Sequence, residues 1–157
     1  MIKTNAFVAA SFAGMMMTML FAQSGTPFGN PDKAEFYPLQ TNPHLSDGVF
    51  LPGFDSAENF YVIPRVLLRA ADIASASVIP ASPGSALFNV EMILNGAGRS
   101  KVAGLIAQYG PDRPVAVVWR NMVYYTHLAS KLDTAGAIVV AEGLDQDGAL
   151  ALRAALQ

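Results

Sequence analysis

A chain of 157 residues with 14% charged side chains, a net charge of -2 and no cysteine is about one domain's worth of sequence, and several chemistries are excluded from the start. Its 10 Lys and Arg against 12 Asp and Glu leave no basic stripe to track phosphates, so nucleic acid is not an expected partner. Without cysteine there are no disulfides, no thiolate catalysis and no cysteine zinc site, whereas an oxidising compartment stays open to a chain with nothing to mispair.

Residues 1–24 carry the clearest local signal. Lys3 gives a short positive start, and residues 6–22 are uncharged and mostly apolar before ending in small and polar residues, the pattern of a secretory signal. Ala22-Gln23-Ser24 fits a small-x-small cleavage site and puts the mature start at Gly25; cleavage after Ala22 places the less favourable Leu20 three positions back. At about 17 residues the run also sits at the lower edge for spanning a bilayer, so an uncleaved anchor is the competing reading. A core helix fits poorly, because the run is apolar on all sides. Both surviving readings deliver the remainder across the inner membrane of a bacterium or a comparable membrane, either periplasmic or secreted, or anchored and facing the periplasm.

Residues 25–56 turn abruptly to Gly, Pro, Asn, Asp and Ser, with prolines at 27, 31, 38, 43 and 52. Each proline disfavours helix in the residue before it and removes a backbone donor, so an extended leader is expected. Phe28, Phe36, Tyr37, Phe50 and Phe54 are too many aromatics for a solvated linker, and part of it is expected to pack along the domain surface. A partner-binding strip is the functional alternative for this segment.

The domain is placed at residues 57–157. Residues 60–63 read as a short strand stopped by Pro64, residues 70–74 as one helical turn, and residues 76–79 as a strand closed by Pro80, Pro83 and Gly84. In residues 86–94, Phe88, Val90, Met92 and Leu94 alternate onto one face. Asn95 sits where an N-cap belongs, and Val102, Leu105, Ile106 and Tyr109 recur at helical spacing up to Gly110-Pro111. Gly96, Gly98 and Gly104 weaken that helix, so packing must hold it.

Residues 115–119 are apolar on both faces, as in a strand buried from both sides. Arg120-Asn121 is a two-residue connection from which residues 122–125 return antiparallel. Residues 126–134 read as a connection with a turn of helix at 128–132, and residues 136–141 as a further strand. Glu142-Gly143 reads as a turn, Asp145 as a cap, and Ala149, Leu152, Ala155 and Leu156 line one face of a last helix. The order strand, strand, helix, strand, strand, strand, helix predicts an α+β fold, a small antiparallel or mixed sheet packed by two helices.

Several passages now resemble one family. Asp72-Ile73-Ala74-Ser75-Ala76, the run from Phe88 through Leu94-Asn95-Gly96-Ala97-Gly98, the proline-led Pro114-Val115-Ala116-Val117-Val118, and Gly136 to Gly143 followed by Gly148-Ala149-Leu150-Ala151-Leu152 occur in the order found in the head part of the first periplasmic domain of SecD and SecDF, membrane proteins that assist Sec-dependent export. The resemblance covers residues 60–156. It departs at Arg120-Asn121, where the family usually has Asp-Gly, and at Thr126-His127-Leu128, where an Ala-Pro commonly stands. SecD sets this domain among membrane helices that carry proton-driven motion; these 157 residues contain no second apolar run as long as the first, so no motor is implied. What the resemblance implies is a standalone, exported, head-like domain that binds protein.

Candidate chemistry is sparse. His127, Ser130 and Asp133, spaced by three, could share a helical face and form a Ser-His-Asp relay, but three groups on one short segment rarely converge with oxyanion donors, and a solvated connection is the plainer reading. His44 and His127 lie in dissimilar contexts, which does not make a metal site. Gly96-Ala97-Gly98-Arg99-Ser100 lacks the third glycine of a dinucleotide fingerprint and the end of a phosphate loop, and reads as a cap.

No catalytic, metal or cofactor-binding residue is therefore assigned, and no cofactor is expected. The expected role is non-enzymatic protein binding or accessory work in the cell envelope, with an envelope or exported polypeptide or the Sec machinery as partner and with membrane contact only through an uncleaved N-terminus. The candidate partner-binding residues are Trp119, Arg120, Asn121, Tyr124 and Tyr125 at the hairpin, together with an open sheet edge. The alternative is a small envelope ligand-binding protein or hydrolase on the same scaffold, which a deep titratable pocket around His127 would favour. A third reading is an accessory subunit tethered by an uncleaved N-terminus.

Overall fold

The computed structural model describes residues 28, 30–41, 48–54 and 58–157; the N-terminal signal, His44 and Asp47 lie outside them. Among the described residues eight strands and three α-helices follow in order: β1 (Glu35–Pro38), β2 (Val49–Pro52), β3 (Asn59–Val62), a 3-10 turn (Ala70–Asp72), β4 (Ile73–Pro80), β5 (Phe88–Leu94), α1 (Gly96–Tyr109), β6 (Pro114–Trp119), β7 (Met122–Leu128), α2 (Ala129–Leu132), β8 (Ile138–Leu144) and α3 (Gln146–Ala155). The fold is α+β, with every strand pairing antiparallel.

The strands divide between two three-stranded sheets, β1-β6-β7 and β4-β5-β8, and a ribbon, β2-β3. β6 is the middle strand of its sheet. All of Val115 to Trp119 is buried, as its two-sided apolar run requires. Its second neighbour comes from the proline-rich leader: β1 pairs Phe36 with Val117 and Tyr37 with Ala116, and both aromatics are buried. Pro38, at the end of this strand, leaves no missing donor in the middle of the sheet. The free side of β1 is covered in turn, since Phe36 N–H donates to Leu68 at 3.0 Å, Leu67 N–H to Phe36 at 2.7 Å and Ile63 N–H to Pro38 at 3.0 Å. Phe28 is buried as well, whereas Phe50 and Phe54 are exposed.

In the second sheet β5 alternates as expected, with Val90, Met92 and Leu94 buried. Asn95 Oδ1 accepts from Gly98 N–H at 3.0 Å and caps α1, and Gly110, at φ 89°, ends it. Asp145 Oδ1 accepts from Gly148 N–H at 2.7 Å at the start of α3, whose Ala149, Leu152 and Ala155, with Leu156 just beyond, are buried against the sheet.

Three local expectations change. β7 runs on to Leu128, so His127 lies on a strand and only residues 129–132 are helical. Glu142-Gly143 is no turn: β8 continues through both to Leu144, with a bulge opposite β5, and Gly143 takes φ 69° while its N–H donates to Asn89 Oδ1 at 3.2 Å. A glycine at positive φ is what such a bulge demands. Tyr109 turns away from the core and is 49% exposed, because the helix is ending and the Arg113 guanidinium covers its ring at 5.2 Å.

Candidate functional site

The hairpin between β6 and β7 closes on Arg120 and Asn121 at φ 51° and 60°, the left-handed pair that a two-residue turn needs. Both are exposed. Trp119, just before them, is buried, with its Nε1 lacking a hydrogen-bond partner, and the Arg120 guanidinium lies 4.3 Å from its ring centroid.

Tyr124 and Tyr125 are half-buried rather than exposed. The pairing passes from Val117↔Tyr125 to Val118↔Val123, which makes Tyr124 the extra residue of a bulge; for that reason two adjacent side chains both pack on the same core instead of alternating. Tyr124 stacks on Phe54 at 4.4 Å and tilts against Trp119 at 5.4 Å. Burial raises its pKa, opposed by the charge of Arg120. The Tyr125 hydroxyl donates to Glu142 at 3.2 Å, and burial, then the Glu142 charge and hydrogen bond, raise its pKa too. The structure thus gathers Trp119, Arg120 and Tyr124 into one aromatic-cationic stack, sets Tyr125 beside it, and adds Phe54 from the leader, for which the sequence held no signal beyond an aromatic among prolines.

The open edge is β4. It sits at the outside of its sheet, and among the described residues no main-chain hydrogen bond is made along its outer side. Its eight residues, IASASVIP, carry no charge; Ser75 and Ser77 are exposed while Ala76 is buried. The usual guards of an edge strand are charged side chains, prolines and bulges. Here a bulge between Ile73 and Ser75 and a proline at position 80 stand at the two ends, leaving the middle unguarded. Beside it, between β4 and α3, a cleft of about 490 Å³ is lined by Ser77, Val78, Phe88, Leu150 and Arg153 among others. Leu150 is 43% exposed there.

The proposed relay is not assembled. His127, on β7, pairs across to Val115 of β6, Ser130 lies on α2 and Asp133 beyond it, and no hydrogen bond joins their side chains among the described residues. The imidazole of His127 sits 4.7 Å from the Tyr125 ring, with its Nε2 shielded and unpartnered. Burial holds its pKa below the ordinary value, opposed by a backbone hydrogen bond at Val139 and by the Glu142 charge. His127 lines neither the cleft beside β4, nor the cavity beside α1, nor the small one at the hairpin. Among the described residues no group of three or more His, Asp or Glu is placed to hold a metal ion, and no helix is long and apolar enough to cross a membrane.

No protein-family model matches this chain, and no curated protein matches it significantly. Solved structures do. The chain is similar over 78% of its length to a SecDF structure described as that of a membrane component that enhances protein export, at 20% identity and a TM-score of 0.52, spanning 60% of that chain. It is similar at the same coverage and identity, with a TM-score of 0.51, to SecDF in a super-membrane-facing form, of which it spans 18%. The chain therefore spans less than two thirds of each of these chains, and what it shares with them is the fold, that of a SecD-like α+β domain.

Proposed function

We propose that this chain is a non-enzymatic, export-related protein-binding module of the cell envelope that receives an extended polypeptide along β4. One observation carries the reading: an eight-residue edge strand with no charged residue and a free outer side, next to a cleft that offers Leu150 and Arg153. Strand addition supplies affinity through main-chain hydrogen bonds and specificity through flanking pockets. A segment with an apolar residue for Phe88 and Leu150 and an acidic one for Arg153 suits this edge. The SecD-like fold favours an exported polypeptide or the Sec machinery as its source, and the signal-like residues 1–24 favour a periplasmic setting.

The hairpin residues Trp119, Arg120, Asn121, Tyr124 and Tyr125 are the second contact surface in this proposal, presented chiefly through Arg120 and Asn121. A photo-crosslinker at Ser77, compared with one at Asn121, tests the reading in the native envelope. Capture of polypeptides from Ser77 that is lost when the neighbouring Val78, whose N–H faces away from β5 in this register, becomes proline supports it. Equal capture with and without that proline, or none from Ser77, overturns it.

A further inference from the structure

A cavity of about 760 Å³ lies away from β4, between residues 63–69 and α1. Among the described residues its walls carry Arg65, Arg69, Lys101 and Arg113 and no carboxylate, on a chain whose net charge is -2. Two of these cations are already compensated from behind the walls: Lys101 Nζ lies 2.7 Å from Asp72 and Arg69 Nε 3.6 Å from Glu35. Arg65 and Arg113 have no carboxylate partner among the described residues.

Arg113 is the more informative of the two. Its backbone is anchored on both sides, donating to Gly110 and accepting from Ala129 N–H at 2.8 Å, and its guanidinium is set against the Tyr109 ring. Its Nε is shielded from solvent and unsatisfied. A buried donor left unpaired is costly, and a planar guanidinium held in place without a partner is suited to bidentate recognition of an oxyanion. The floor between the cations is apolar, formed by Ile63, Val66 and Leu105, with Gly104 leaving room above the helix, since a Cβ built there meets nothing within 4 Å. The volume falls within the range of small-molecule sites, about 300–1,000 Å³.

We infer that this cleft is a binding site for a small amphipathic anion, a carboxylate or similar oxyanion on an apolar body, held by Arg65 and Arg113 with its body along Leu105 and Tyr109. The site shares no lining residue with the β4 cleft, so its success or failure is separate from that of the polypeptide-binding reading.

Titration of the whole protein with octanoate, octanol and inorganic phosphate, followed by calorimetry and by backbone amide shifts, tests the inference. Octanoate is expected to bind saturably, with its largest shifts in α1 between Lys101 and Tyr109, and octanol and phosphate each to bind about 10-fold or more weakly. Arg65→Gln and Arg113→Gln are each expected to weaken octanoate by about 10-fold, the loss of one charge-assisted hydrogen bond. Gly104→Leu, which fills the cleft, should abolish binding. Arg65 is exposed, so its variant carries the test even if Arg113→Gln does not fold. Octanol or phosphate binding as tightly as octanoate, octanoate affinity indifferent to Arg65→Gln, or shifts centred on the β4 cleft would each overturn the assignment.

Discussion

Three glycines in α1 look alike in the sequence, and the structure separates them. A Cβ on Gly98 would overlap the carbonyl oxygen of Asp72 and come within 3.2 Å of its Cβ, while Gly104 faces open space. Gly98 is therefore where the helix entrance approaches the 3-10 turn, and the same Asp72 takes a hydrogen bond from Arg69 N–H at 2.9 Å and the ion pair from Lys101. Gly98→Ala should destabilise the protein by about 2 kcal/mol through forced backbone displacement, and Gly104→Ala should stabilise it by up to about 1 kcal/mol through helix propensity. Urea unfolding reads both, and equal effects would show that the approach at Gly98 is not a close one. His127 is a second residue with a sign to test. Its pKa lies below the ordinary 6.5 because burial disfavours the charged ring. As pH falls through that value the unfolded chain takes up the proton first, so stability is full above it and declines as pH drops toward the folded-state pKa, below which the loss levels off. His127→Gln removes this component, and its urea midpoint should fall less than that of the parent between about pH 7.5 and 5.5. An identical fall in both proteins would show that the imidazole is not held neutral by the fold.

At the scale of elements, what could be read from the sequence was whatever is encoded locally. The alternation of Phe88 to Leu94, the Asn95 and Asp145 caps and the left-handed Arg120-Asn121 turn each depend on neighbours within a few residues, and each is present in the structure. Gly143 serves a bulge and not the expected turn; glycine at positive φ suits both, and only the partner strand β5 decides between them. β7 ran past its expected end because Thr126, His127 and Leu128 pair with residues 114–116 of β6, a long-range fact. β1 was the least legible element. Its residues, EFYP, sit among prolines that argue locally for extended backbone; that this segment completes the sheet beside β6 depends on an edge some 80 positions away along the chain. The contact surface divides in the same way. The hairpin residues were visible because a turn announces itself, while the β4 edge and the cationic cleft arise from where the sheet ends and how α1 lies beside residues 63–69.

Across the molecule the buried apolar side chains of the described residues form two clusters, and β6 is the wall between them. Val115, Val117 and Trp119 point into the larger one, with the two three-stranded sheets and α3; Ala116 and Val118 point into the smaller one, with Tyr37, Leu39, Leu51, Val62 and Val123. β1 is shared in the same manner, since Phe36 belongs to the larger cluster and Tyr37 to the smaller. A strand that alternates between two cores cannot lose one of them and keep its register in the other, so the β2-β3 ribbon and the segment from β1 should melt with the body of the domain. Val118→Ala, a cavity in the smaller cluster costing about 2 kcal/mol, makes the test sharp. The fluorescence of Trp119, the sole tryptophan, reports the larger cluster, and the methyl signals of Val62 report the smaller. Both should move to the same lower urea midpoint in the variant, as they should coincide in the parent. A variant in which Val62 melts early while Trp119 keeps its midpoint would mean that the smaller cluster is a separate cooperative unit docked on β6, and that β6 transmits nothing between the two.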